Sequence, residues 1–138
     1  MRFSLTLGAF ALALVMTGPQ PATADAGTDI RSVIGDQFAA FAANDLGAAF
    51  DFASPTIKGI FRTPENFGQM VKGGYPMIWR PSEVKFLALR TENGRQMQRV
   101  LVRDGAGAIH LFDYEMIPAA DGWQINGVFP VESETPTA

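Results

Sequence analysis

The sequence predicts an α+β domain in which N-terminal helices pack on one face of a four-stranded antiparallel sheet. Two observations carry this reading. Apolar residues recur at helical spacing as far as Gly74, and from Val84 the period changes to two. Asn93-Gly94 and Asp121-Gly122 then punctuate the alternating runs as hairpin turns do. Helices followed by a strand meander place the helices over one face of the sheet.

The first segment is a leader. Met1 and Arg2 give a short positive start, and Leu5 to Met16 is an uncharged apolar run of twelve residues. A bilayer-spanning helix needs about 20. Gly18, Pro19 and Pro21 break the run, and Ala22-Thr23-Ala24 has the small–x–small pattern of a secretory cleavage site. Cleavage after Ala24 would leave 114 of the 138 residues and shift the net charge from −3 to −4 by removing Arg2. The expected organisation is thus a signal peptide over 1–24, a single domain over 25–131 and a disordered polar tail over 132–138. The expected location is periplasmic or secreted, with no membrane anchor after cleavage.

Within the domain, Ile30, Val33, Ile34, Phe38 and Phe41 fall at offsets 0, 3, 4, 8 and 11, one apolar helical face. Thr28 or Asp29 is the expected cap of that helix and Asn44 its stop. Leu46 to Ala53 reads as a short second helix. Ser54-Pro55 and Thr63-Pro64 each read as an N-cap followed by proline at the first helical position. Phe67, Met70 and Val71 continue helical spacing until Gly73-Gly74, and Tyr75 to Pro81 reads as a loop. Four strands follow at Val84–Arg90, Gln96–Arg103, Ala108–Ile117 and Trp123–Phe129.

The strand faces depend on loop parity. With even loops throughout, Phe86, Ala88, Met97, Arg99, Leu101, His110, Phe112, Tyr114, Met116, Trp123, Ile125 and Phe129 share the face that meets the helices. Leu87, Leu89, Gln98, Val100, Val102, Ile109, Leu111, Asp113, Glu115, Gln124, Asn126 and Val128 then share the other. The apolar patch of Leu87, Val100, Val102, Ile109 and Leu111 on that outer face is the expected contact of a homodimer.

Composition excludes several chemistries. The chain has no cysteine and one histidine, so thiolate zinc sites, disulfides and multi-histidine metal sites are out of reach. Eleven basic residues against 14 acidic ones do not make a nucleic-acid binder. The one Gly-x-Gly, Gly105 to Gly107, falls in a turn between strands and is no dinucleotide fingerprint. No cofactor, metal site or catalytic residue is expected. The ligand-binding candidates are Arg99, His110, Tyr114, Tyr75, Trp79 and Arg80. Arg99 lies mid-strand on the expected inner face, where it pairs with Asp36, Asp51 or Glu65 or else holds an anion in a wet cavity. His110 and Asp113 are three apart on a strand and point to opposite faces. Tyr75, Trp79 and Arg80 either rim a cavity mouth or pack onto the body.

The stretches Thr63-Pro64-Glu65-Asn66-Phe67, Gly74-Tyr75-Pro76 and Trp79-Arg80-Pro81-Ser82-Glu83-Val84-Lys85-Phe86-Leu87 resemble a bacterial family known only as a domain of unknown function, numbered 4864. Tyr114-Glu115-Met116 and Asp121-Gly122-Trp123-Gln124-Ile125 fit the same family. The order of elements and the Asp-Gly-Trp-x-Ile ending are similar to the nuclear-transport-factor-2-like superfamily, a cystatin-like α+β cone of curved sheet around helices. That resemblance implies a cavity between sheet and helices and frequent dimerisation through the sheet. It implies no activity, because the superfamily hosts enzymes and non-enzymes.

Three functions follow as expectations. The leading one is a non-enzymatic module that binds a small molecule or a protein. The alternative is an isomerase- or hydratase-like enzyme in which a carboxylate works with Tyr114 or His110. The third is a structural envelope protein that acts through its dimer. The leader reading has a direct check: protein recovered from the cell envelope should begin at or near Asp25 on N-terminal sequencing. An intact Met1 in the cytoplasmic fraction would overturn it.

Overall fold

The computed structural model describes residues 22–132, with side chains from residue 26 onward. The expected leader run and the tail beyond Glu132 lie outside the described residues. Five helices precede four strands: α1 Ala22–Ala42, α2 Leu46–Asp51, α3 Pro55–Phe61, α4 Pro64–Gly74, α5 Pro76–Trp79, then β1 Glu83–Glu92, β2 Arg95–Arg103, β3 Ile109–Ala119 and β4 Gly122–Val131.

Helix α1 starts earlier than its expected cap, at Ala22 and not at Thr28 or Asp29. Its buried stripe is Ile30, Ile34, Gln37 and Phe41, one residue each turn. Asn44, at φ 57°, takes the left-handed turn that ends the segment. Asp45 then caps α2 by accepting from the Ala48 amide at 3.1 Å. Ser54 and Thr63 cap α3 and α4 by accepting from Ile57 and Asn66, with proline at the first helical position of each. The segment expected as a loop after Gly74 contains the single-turn helix α5.

The strands pair in the order β1-β2-β3-β4, all antiparallel. Asn93 and Gly94, at φ 51° and 77°, form a two-residue turn of the kind whose twist matches a hairpin. The next connection is odd. Arg103 pairs with Ile109, which leaves five residues, 104–108, in the turn. Two bulges add further shifts, one between Phe86 and Leu89 in β1 and one at Asn126 in β4.

These irregularities overturn part of the expected face assignment. Gln98 pairs with Tyr114, Val100 with Phe112 and Val102 with His110, so β2 turns Val100 and Val102 toward the helices, where both are 0% exposed. Arg99, Met97 and Leu101 go to the outer face instead, and Arg99 stands opposite Asp113. The β1 bulge brings Leu89 inward opposite Gln98, while Leu87 and Ala88 are exposed. In β4 the bulge puts Val128 inside, opposite Tyr114, and Phe129 outside, opposite Asp113. The expected dimer patch is therefore split: Val100 and Val102 belong to the core, and Leu87, Ile109 and Leu111 remain outside.

The core lies between the helices and this corrected inner face. Ile30, Ile34, Phe41, Phe50, Phe67 and Ile78 meet Val100, Val102, Phe112, Tyr114, Met116 and Ile125. Aromatic rings of Phe41, Phe50, Phe61 and Phe67 sit 5.4–5.9 Å apart in tilted pairs. The α2–α3 junction closes the free edge of β4 locally: the Ser54 amide donates to the Ile125 carbonyl and the Ile125 amide to the Phe52 carbonyl, both at 2.8 Å.

The two face assignments separate in one measurement. Val100→Asp should cost about 3 kcal/mol or more, because it buries an unpaired charge. Ile109→Asp, at a position 55% exposed, should cost about 0.5 kcal/mol or less. Equal losses in denaturant unfolding would refute the register described here.

Candidate functional site

An apolar concavity lies between the helices and strands β3 and β4, with a volume of about 310 Å³. Helix α1 supplies Gln37 and Phe41, α3 supplies Ile57, Ile60 and Phe61, and α4 supplies Phe67, Met70 and Val71. The sheet contributes Tyr114, Ile125, Asn126, Gly127, Val128 and Phe129, with Tyr75 and Ile78 at one end. None of the lining residues is charged. Ile60 and Phe129, 63% and 49% exposed, border the opening.

The polar groups on this wall are few and mostly committed. Gln37 donates its side-chain amide to the Ala49 carbonyl at 3.1 Å. Asn126, the bulged residue of β4, accepts from the Ser54 hydroxyl at 2.7 Å and donates to Glu115 Oε2 at 3.0 Å. Glu115 in turn accepts from Arg95 on the outer face. Tyr114 differs. Its side chain is buried and its hydroxyl has no hydrogen-bond partner among the described residues. Burial alone pushes its pKa up, so it remains a neutral phenol.

The six candidate residues from the sequence separate into two groups. Tyr114 and Tyr75 line the cavity. Trp79 packs against Phe41 with ring centroids 5.6 Å apart, and the Arg80 guanidinium lies over Trp79 at 4.6 Å. Arg80 also donates to the Phe41 carbonyl at 2.8 Å and to Asn44 Oδ1 at 2.7 Å, so it clamps the end of α1. His110 Nε2 faces Asp104 Oδ2 at 2.8 Å, in the corner where β3 begins. That contact, with two backbone amides also on Asp104, holds the Asp104 carboxyl below its usual range.

Arg99 is neither orphaned nor on the cavity wall. It donates to both oxygens of Asp113, at 3.0 and 3.2 Å, and Arg90 donates to the same two oxygens at 3.0 and 2.7 Å. Its partner is a cross-strand carboxylate, not Asp36, Asp51 or Glu65. The expectation of a helix partner fails because it rested on an even turn between β2 and β3. Sequence reasoning also missed α3 as a cavity wall, although Ile57, Ile60 and Phe61 fall at offsets 0, 3 and 4.

The chain belongs to the family described as a domain of unknown function, DUF4864, which matches residues 23–138. No curated protein and no solved structure matches it.

The outer-face cluster yields a pH prediction. The Arg90 hydrogen bonds, followed by those of Arg99, lower the Asp113 pKa from 3.8 to about 2 against the opposing effect of burial. Because the folded value lies below the unfolded one, the stabilisation is complete above about pH 4 and is lost as pH falls through about 2. It amounts to about 2 kcal/mol. Asp113→Asn should destabilise the protein by at least that amount at pH 7, with the gap to the parent protein narrowing from pH 4 to pH 2 in denaturant titrations. A gap that stays constant across this window would refute the pairing.

Proposed function

We propose that this domain is a non-enzymatic periplasmic module that holds a small apolar molecule in the cavity between its helices and sheet. The observation that carries the reading is the lining: aliphatic and aromatic side chains around about 310 Å³, uncharged throughout, with an opening bordered by exposed Ile60 and Phe129. Binding sites for small organic ligands have this character and span about 300–1,000 Å³. Displacing water from such a wall favours binding by about 25 cal/mol for each Å² of apolar surface covered. A cavity of this kind is also what the likeness to the nuclear-transport-factor-2-like cone implies.

The isomerase or hydratase alternative needs a carboxylate within hydrogen-bond reach of Tyr114 or His110 inside the cavity between helices and sheet. Among the described residues, no Asp or Glu lines the cavity. Glu115 sits behind Asn126, paired with Arg95. His110 does meet a carboxylate, Asp104 at 2.8 Å, but it lies in a separate depression with Met77 and Leu111 and does not line the cavity. The histidine–carboxylate pair is therefore separate from the cavity that Tyr114 lines, which weighs toward binding in that cavity.

A hydrocarbon probe tests this directly. Diphenylhexatriene should bind the mature protein saturably with a rise in fluorescence, and Met70→Trp should weaken it at least about ten-fold by filling the cavity from α4. The variant should keep the parent melting temperature within about 5 °C, the shift that roughly 1 kcal/mol produces in a domain of this size. Absence of saturable binding to the parent protein, together with no small molecule retained in native mass spectrometry, would overturn the proposal.

A further inference from the structure

The buried hydroxyl of Tyr114 sets what the ligand must carry. Tyr114 is 1% exposed and lies on the cavity wall, yet its hydroxyl finds no partner among the described residues. Buried phenols ordinarily make a hydrogen bond, because an unmade one keeps the full cost of desolvation. The polar side chains on the cavity wall have other commitments, and Gln98, paired with Tyr114 across β2 and β3, keeps an Oε1 that also finds no partner and does not bond the phenol. Gln37 gives its amide to Ala49, and Asn126 uses both ends of its amide on Ser54 and Glu115. No cation or anion stands on the wall to receive a charged ligand group.

We propose that the ligand is an uncharged, predominantly apolar molecule whose single neutral oxygen acceptor, a carbonyl, ester or hydroxyl, receives the hydrogen bond of Tyr114. This rests on the binding role proposed above. Burial keeps the phenol protonated, so it donates throughout the physiological range. A ligand carboxylate would enter an uncharged enclosure with no counter-ion, and an ammonium would meet a donor where it needs an acceptor. The cavity, at about 310 Å³, is roughly twice the size of the ~150 Å³ apolar cavities that hold one benzene. A medium-length alkyl chain or a two-ring skeleton fits that size.

Competition against diphenylhexatriene distinguishes the possibilities, with 1-decanol and decanoate as probes of equal chain length at pH 8. On the parent protein, decanol should compete at least about ten-fold more strongly than decanoate. Tyr114→Phe keeps the ring and removes only the hydroxyl. It should weaken decanol about five- to ten-fold more than it weakens diphenylhexatriene, and hold or raise the melting temperature of the protein alone. Equal competition by decanol and decanoate on the parent protein would overturn this inference while leaving the cavity reading in place. Unchanged decanol affinity in Tyr114→Phe would do the same. Failure of diphenylhexatriene to bind the parent protein, together with no small molecule retained in native mass spectrometry, would instead defeat the binding role itself, so the two failures are separable.

Discussion

The five-residue connection at 104–108 fixes which side of β2 meets the helices, and most of the structure depends on it. Asp104 builds that turn. Its Oδ1 accepts from the amides of Ala106 and Ala108, both at 2.9 Å, and its Oδ2 faces His110. The Ser82 hydroxyl, at the entrance to β1, donates to the carbonyls of Arg103 and Asp104, and Arg103 reaches the Gly107 carbonyl. These bonds hold an odd number of residues in place. Because side chains alternate along a strand, an odd turn inverts the face of everything on one side of it. Val100 and Val102 enter the core, and the guanidinium of Arg99, which would be expensive to bury there, reaches the outer face.

The outer face then works as a charged sheet surface. Arg90, Arg99 and Asp113 form one cluster, Arg95 and Glu115 another, and Arg103 with Glu83 a third. Directly opposed charges of opposite sign on antiparallel strands support the pairing that brings them together. Asp113 and Glu115 are nearly buried among these arginines and the strands beneath them, which gives their pairs more weight than exposed surface pairs carry. The β1 bulge is satisfied from beneath, where Gln98 donates to the Leu87 carbonyl at 2.9 Å. A buried glutamine in the middle of β2 thus has a local reason, the carbonyl freed by the irregular ladder above it.

Much of this was legible from the chain because it rests on neighbours in sequence. The Ser54-Pro55 and Thr63-Pro64 caps, the Asn93-Gly94 turn and the order of helices and strands are short-range signals. The faces of the sheet were not legible, because a turn of five residues and one of four look alike in composition, and the Asn126 bulge has no mark beyond an adjacent glycine. Tyr75 and Tyr114 were placed among candidate residues and do line the cavity. Arg80 and Trp79 were placed there too, but their partners, the Phe41 carbonyl and the Phe41 ring, lie 38 or more residues away in sequence, beyond any local pattern.

The cavity itself traces to the Asn126 bulge. Without the extra residue, the register that pairs Met116 with Ile125 would carry on to Gly127 opposite Tyr114 and Phe129 opposite Phe112, and the phenyl ring would turn inward. The bulge puts Val128 opposite Tyr114 and sends Phe129 to the outer side, next to the opening. Turning the Phe129 ring off the inner face leaves room there that a close-packed interior would otherwise fill. Such a bulge needs its own polar satisfaction, and the Ser54–Asn126–Glu115–Arg95 chain provides it. Ser54 is also the cap of α3, whose Ile57, Ile60 and Phe61 form the opposite wall. One asparagine therefore sets the strand's irregularity, anchors the helix across from it and holds the two walls apart. The space between them follows from hydrogen bonds rather than from a shortage of apolar residues to fill it.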